Sequence, residues 1–220
     1  MSIRRFWIIL FAMGLPIFIA ADNCPPHFNV SMLNIISRQN WGASTPNHNA
    51  EDEFGYYDKV KDPEGWMVYR EPLNEVLKTV IIHHSALPLS DGPYEIQQLH
   101  FNQKGYADIA YHFVIDEDGN IYEGRDIHAR GAHTGGYNTG SVGVVLLGNF
   151  EVMHTTQSQL DSLKDLLIVL KQEYHVTHLA GHRDFNPGVT VCPGEYLEKV
   201  LPVLANELSY QYGTDGYVGP

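Results

Sequence analysis

The sequence predicts an α/β fold, a mixed central β-sheet flanked by helices. Ser141 to Leu147 is a nearly continuous apolar run, the signature of a strand covered on both faces. Strand-like segments before it alternate with a helical segment, and two more helical segments follow it. A chain of 220 residues with 44% hydrophobic content carries enough apolar surface for one compact core.

Each element has its own signal. Residues 1–21 carry Arg4 and Arg5, an apolar run from Phe6 to Ala20 and small residues at the end, the three zones of a secretory signal peptide. The run is shorter than the ~20 residues of a membrane span, and Pro16 interrupts it. Cleavage near Ala20 or Ala21 is therefore expected, giving a secreted or periplasmic protein with no stable membrane span. Residues 22–78, with Pro25, Pro26, Pro46, Pro63 and Pro72, read as an irregular segment packed on a core of residues 79–208. Within it, Ser44 to Tyr69 is acidic and aromatic, either a groove wall or a surface insertion.

Val80 to His84 is rich in β-formers, and Pro93 to Gly105 is a helix with its start and stop residues in place. Tyr111 to Asp116 and Asn120 to Tyr122 flank Asp118-Gly119, which predicts a hairpin. Thr156 to Tyr174 puts Leu160, Leu163, Leu167 and Leu170 on one helical face, and Glu195 to Leu208 is predicted as the last helix. Residues 209–220 are polar and Gly-rich and are expected to form a flexible tail. A net charge of −12 repels phosphate backbones and anionic lipid surfaces, so no nucleic-acid partner is expected. A monomer is expected.

The chemistry-bearing residues are the His83-His84 pair on a strand, and His182 and Cys192 around a Gly/Pro-containing loop. Zinc takes imidazole nitrogen and thiolate sulfur, and three protein ligands leave a fourth position for water, a hydrolase's arrangement. Side chains alternate along a strand, so only one histidine of the pair can reach a shared metal. Cys192 has a competing use, because Cys24 is the only other cysteine and an exported protein permits a disulfide between them. The two uses exclude each other.

The local text is IIHHSA (81–86), YHF (111–113), GAHTGGYN (131–138) and GHRDFNPGVTVCPG (181–194), with RQNWGA (38–43) before and SVGVVLLGNF (141–150) between. Over roughly Asn34 to Leu204 the chain resembles the zinc-dependent amidases of the N-acetylmuramoyl-L-alanine amidase and peptidoglycan recognition protein superfamily. The resemblance implies Zn2+ held by His83, His182 and Cys192. It implies catalytic roles for Tyr111, as the phenol beside the reacting water, and for Thr190, near the transition state. It also implies a peptide-stem groove lined by His133, Tyr137 and Asn138, with Arg125 meeting a stem carboxylate.

The implied reaction is hydrolysis of the amide between N-acetylmuramic acid and L-alanine in peptidoglycan or muropeptide fragments. The alternative is a non-catalytic peptidoglycan-binding protein, a branch in which the cysteine ligand is lost. Two departures stand out: Val145 occupies the place of a candidate glutamate base, and Asp126-Ile127 replace a Gly-Trp pair associated with diaminopimelate preference.

Overall fold

The computed structural model describes residues 33–48, 50, 68–217 and 219; the signal-peptide segment, Cys24 and most of Ser44–Tyr69 lie outside the described residues. In chain order the elements are β1 (Ile35–Ile36), α1 (Leu73–Val76), β2 (Thr79–His84), α2 (Pro93–Lys104), β3 (Phe113–Ile115), β4 (Ile121–Glu123) and β5 (Ser141–Leu146). Then come α3 (Gln157–Tyr174), β6 (His178–Gly181), α4 (His182–Phe185), α5 (Glu195–Glu198), α6 (Leu201–Glu207) and β7 (Gln211–Tyr212). The strands form one sheet in the order β1-β4-β3-β5-β2-β6-β7. Only the β3–β4 hairpin is antiparallel, so the sheet is mixed as expected.

All six residues of β5 and of β2 are buried, consistent with their central places. Alternation sends Val80, Ile82, Val142, Val144 and Leu146 to one face, against Leu163, Leu166, Leu167 and Leu170 of α3 and Leu201 and Leu204 of α6. The other face is more thinly filled. Val114, Val145 and Leu147 meet Ile96 of α2, and Ile81 and Ala180 meet Phe185 of α4. His83 belongs by alternation to this second face, which leaves room there for polar chemistry.

The termini of the helices are set by local chemistry. Thr156 caps α3 by accepting from the Gln159 N–H, and Gln159 returns a bond to the Thr156 N–H. Gly105 ends α2 in the left-handed region, at φ 65°. The hairpin turn is held by Asp116, whose carboxylate accepts from the N–H groups of Asp118 and Asn120.

The structure corrects four expectations. The described part of the segment 22–78 holds regular elements: β1 extends the sheet beside β4, and Tyr69 and Leu73 join the main core. Leu166 rather than the half-buried Leu160 completes the buried face of α3. The last predicted helix is two, α5 and α6, because Pro202 has no N–H to continue the ladder. The tail is packed: Tyr210 is buried, β7 pairs with β6, and Tyr217 meets Tyr137 and Phe185 edge to face. Among the described residues, no helix is long and apolar enough to cross a membrane.

Arg38 ties the N-terminal segment to the core. Its guanidinium pairs at 3.0 Å with Asp108, which is fully buried, and donates to the carbonyls of Gly124 and Ser44. Glu123 accepts from the Arg38 N–H, and its carbonyl accepts from the Trp41 indole, so Glu123 is a structural residue.

Two buried histidines are locked in one tautomer. His112 Nδ1 accepts from the Gly143 N–H, so its Nε2 proton goes to the Ala129 carbonyl. His100 Nδ1 accepts from the Ala110 N–H. Burial lowers the pKa to about 4 for His112 and about 3 for His100. Below the unfolded value of about 6.5 the unfolded chain binds protons that the folded chain refuses. Stability should therefore be complete above about pH 6.5 and fall as the pH drops toward 4, by about 1.4 kcal/mol per pH unit for each histidine. Urea midpoints of the metal-free protein at pH 7, 5.5 and 4.5 should decline in that order, and His112→Asn should flatten the decline.

Candidate metal centre

The three expected metal ligands converge at the carboxyl ends of β2 and β6. His83 is the fifth residue of β2, and His182 immediately follows Gly181 at the end of β6. Cys192 returns from the loop after α4, tied down by Arg183, whose backbone N–H donates to the Cys192 carbonyl at 2.8 Å. The Cys192 N–H in turn donates to Thr190 Oγ1 at 3.1 Å. Gly194 lets this loop lie against Phe150: its φ is 94°, and a Cβ there would fall 2.3 Å from the Phe150 carbonyl carbon.

The donor atoms of His83, His182 and Cys192 lie within 4.8 Å of one another. Cys192 Sγ is 3.5 Å from His83 Nδ1. Tetrahedral zinc with Zn–N of about 2.0–2.1 Å and Zn–S of about 2.3 Å has ligand separations of about 3.3–3.6 Å; the Cys192–His83 pair already has that spacing, and the whole trio lies within 4.8 Å. Electrostatics favour the same occupant. Burial, reinforced by the neighbouring His182, holds the His83 pKa well below its ordinary value, and burial lowers that of His182 as well. Both rings thus stay neutral with lone pairs available. Burial pushes the Cys192 thiol up to about 12, so a thiolate here depends on a cation beside it, helped by the His84 N–H that donates to Sγ at 3.4 Å. Among the described residues Cys192 has no disulfide partner, Cys24 lying outside them.

His84 faces the opposite side, where its Nδ1 accepts from the Phe150 N–H at 3.3 Å. Tyr111 sits just before β3, its ring 5.0 Å from that of His83. Burial, with the Cys192 sulfur nearby, raises its pKa far above the ordinary 10, so the phenol keeps its proton and remains a donor. Beside Tyr111 lies a cavity of about 190 Å³, lined also by Ser85, Leu87, Ile96, His100 and Lys104. The sequence reading passed over this cavity. Its trace was the i, i+4, i+8 stripe of Ile96, His100 and Lys104 on α2.

The residues expected to line a groove fare differently. Arg125 is 1% exposed, and its guanidinium donates to the backbone carbonyls of Ile109, Arg130 and Asp108, so it braces loops instead of meeting a ligand. Asn138 is also buried; its Oδ1 accepts from the N–H groups of His133 and Thr134 at 2.8 Å each. His133 is buried with its Nδ1 3.0 Å from His83 Nε2. Tyr137 is half-buried in an aromatic cluster with Phe185 and Tyr217. Thr190 stays beside Cys192, its hydroxyl oxygen engaged by the Cys192 N–H. Val145 is fully buried and pairs in register with His83, so no carboxylate stands at that point of the sheet.

Comparison with known proteins agrees with this geometry. The family described as N-acetylmuramoyl-L-alanine amidase matches residues 73–195. Peptidoglycan-recognition protein 1 of Holotrichia diomphalia is 31% identical over 190 residues, 82% of this chain and 81% of that protein. The solved N-acetylmuramoyl-L-alanine amidase LysC from Clostridium intestinale is 30% identical with a TM-score of 0.57, over 66% of this chain and 95% of that one. A structure of peptidoglycan recognition protein LE in complex with tracheal cytotoxin, a monomeric diaminopimelic acid-type peptidoglycan, is 30% identical with a TM-score of 0.59, over 76% of this chain and 92% of that one. The fold, the convergent His83, His182 and Cys192 and these similarities together identify the chain as a member of the N-acetylmuramoyl-L-alanine amidase family.

Proposed function

We propose that the protein is a zinc-dependent amidase that cleaves the bond between the lactyl group of N-acetylmuramic acid and L-alanine in peptidoglycan, and that it acts as a secreted or periplasmic monomer. The observation that carries this reading is the convergence of two neutral imidazoles and one thiol beside the protonated phenol of Tyr111, which also lines a cavity. Zinc, when bound by His83, His182 and Cys192, supplies Lewis acidity for the amide carbonyl and acidifies the attacking water. Tyr111 donates a hydrogen bond to the oxygen on which negative charge develops. Thr190 holds the Cys192 loop through its hydroxyl oxygen and keeps its own O–H free to assist. The cavity, with apolar walls and Lys104 as its cation, suits a peptide bearing carboxylates. The muropeptide complex of a relative supports the same substrate class.

A binding-only role is the second reading, since recognition proteins are among the relatives. The complete donor set, Cys192 included, favours the enzyme.

About one zinc per chain is expected on elemental analysis, and His83→Ala and Cys192→Ser should each lower it strongly; full retention by both would overturn the ligand assignment. Tyr111→Phe should keep its zinc, bind muropeptide as before and lose about 10²-fold or more in turnover, the usual cost of an oxyanion donor. Steady-state kinetics on zinc-verified protein decide whether the phenol does chemistry or merely packs. Mass spectrometry of a digested muropeptide should reveal an intact stem with a free L-alanine amine and an uncut glycan, with chelator abolishing the products and zinc restoring them. New reducing ends, or cuts within the stem, would refute the amidase reading.

A further inference from the structure

His83 presents Nδ1 toward Cys192 Sγ, so its Nε2 points into the protein. There it meets His133 Nδ1 at 3.0 Å and Thr134 Oγ1 at 3.4 Å, and these two atoms are 2.9 Å apart. A metal-binding imidazole offers one bare nitrogen, so its proton sits on the other and requires an acceptor. Only His133 Nδ1 and Thr134 Oγ1 are in reach of that proton among the described residues.

The arrangement is built rather than incidental. The Asn138 carbonyl oxygen of the side chain clasps the backbone N–H groups of both His133 and Thr134. The His133 ring lies across Gly131 and Gly143, where a Cβ would come within 2.5 and 2.4 Å of it. His133 turns Nδ1 to His83, while its Nε2 is buried with no hydrogen-bond partner among the described residues.

We propose that His133 is a positioning residue for His83. Its Nδ1 accepts the His83 Nε2 proton, which keeps His83 Nδ1 bare and aimed at the metal position; Thr134 Oγ1 braces the pair. This inference rests on the zinc-amidase reading. It also fixes tautomers. A His133 proton on Nδ1 would collide with the one on His83 Nε2, so in the zinc-loaded protein His133 must carry its proton on buried Nε2.

The test begins with the zinc affinity of the full chain, measured by competition with a chromogenic chelator. Failure of the unaltered protein to bind zinc overturns the zinc reading and this inference together. If it binds, His133→Leu should weaken zinc binding by about 10–100-fold, and His133→Asn, whose amide oxygen can replace Nδ1 as acceptor, should recover most of it. At saturating zinc, KM for a muropeptide should be unchanged in His133→Asn. Unaltered zinc affinity in His133→Leu, or a raised KM with normal zinc affinity in either variant, overturns the positioning role alone. Should His133→Leu fail to fold, 15N NMR of the unaltered zinc-loaded protein decides: His133 protonated at Nε2 supports the proposal, and protonation at Nδ1 overturns it.

Discussion

The parallel pairing of β2 with β6 is the constraint on which the rest of the molecule depends. Ile82 is in register with Gly181, so the next residues on the two strands, His83 and His182, emerge side by side. Neighbouring strands are about 4.8 Å apart, and the two imidazole centroids are 4.7 Å apart. Two of the three candidate ligands are thus placed by the sheet ladder. A slip of one residue would turn His83 to the face occupied by α3 and replace it with an aliphatic or a histidine already bonded to Phe150. The continuous burial of β2 and β5 guards against such a slip, because each face demands its own side chains.

Much of this was legible in the sequence, for physical reasons that also mark the limits. Period and punctuation declared the central strand, the hairpin and helices α2 and α3. Two-residue edge strands have no period, so β1 and β7 left no signal, and the burial of the tail depends on where Tyr217 meets an aromatic pair brought from elsewhere in the chain. The metal trio was readable because its residue types have few other reasons to recur in those settings. The burial of Arg125, His133 and Asn138 was not legible, because a polar residue near a Gly-rich stretch looks alike whether it faces a ligand or closes a buried network. The sequence did hold one clue. Gly131, before the GGYN turn, and Gly143, on β5 after it, both make space for one ring.

The electrostatic state of the site follows from the same burial. His83, His84, His112 and His133 are all disfavoured as cations, mainly by desolvation and partly by one another or by nearby arginines. Such a cluster resists protonation while offering lone pairs, and Cys192 resists ionisation until positive charge arrives. A divalent cation satisfies both tendencies at once.

The donors at His83 and Cys192 are separated by 109 positions along the chain. β2 finds one neighbour, β5, only after about sixty further residues and the other, β6, only after about a hundred, and non-local ladders of this kind close late in folding. A chain emerging from the ribosome therefore brings the three donors together only once the loop carrying Cys192 has packed against β2. Convergence of the three donors and completion of the fold thus coincide, since the last donor arrives only with the loop after α4.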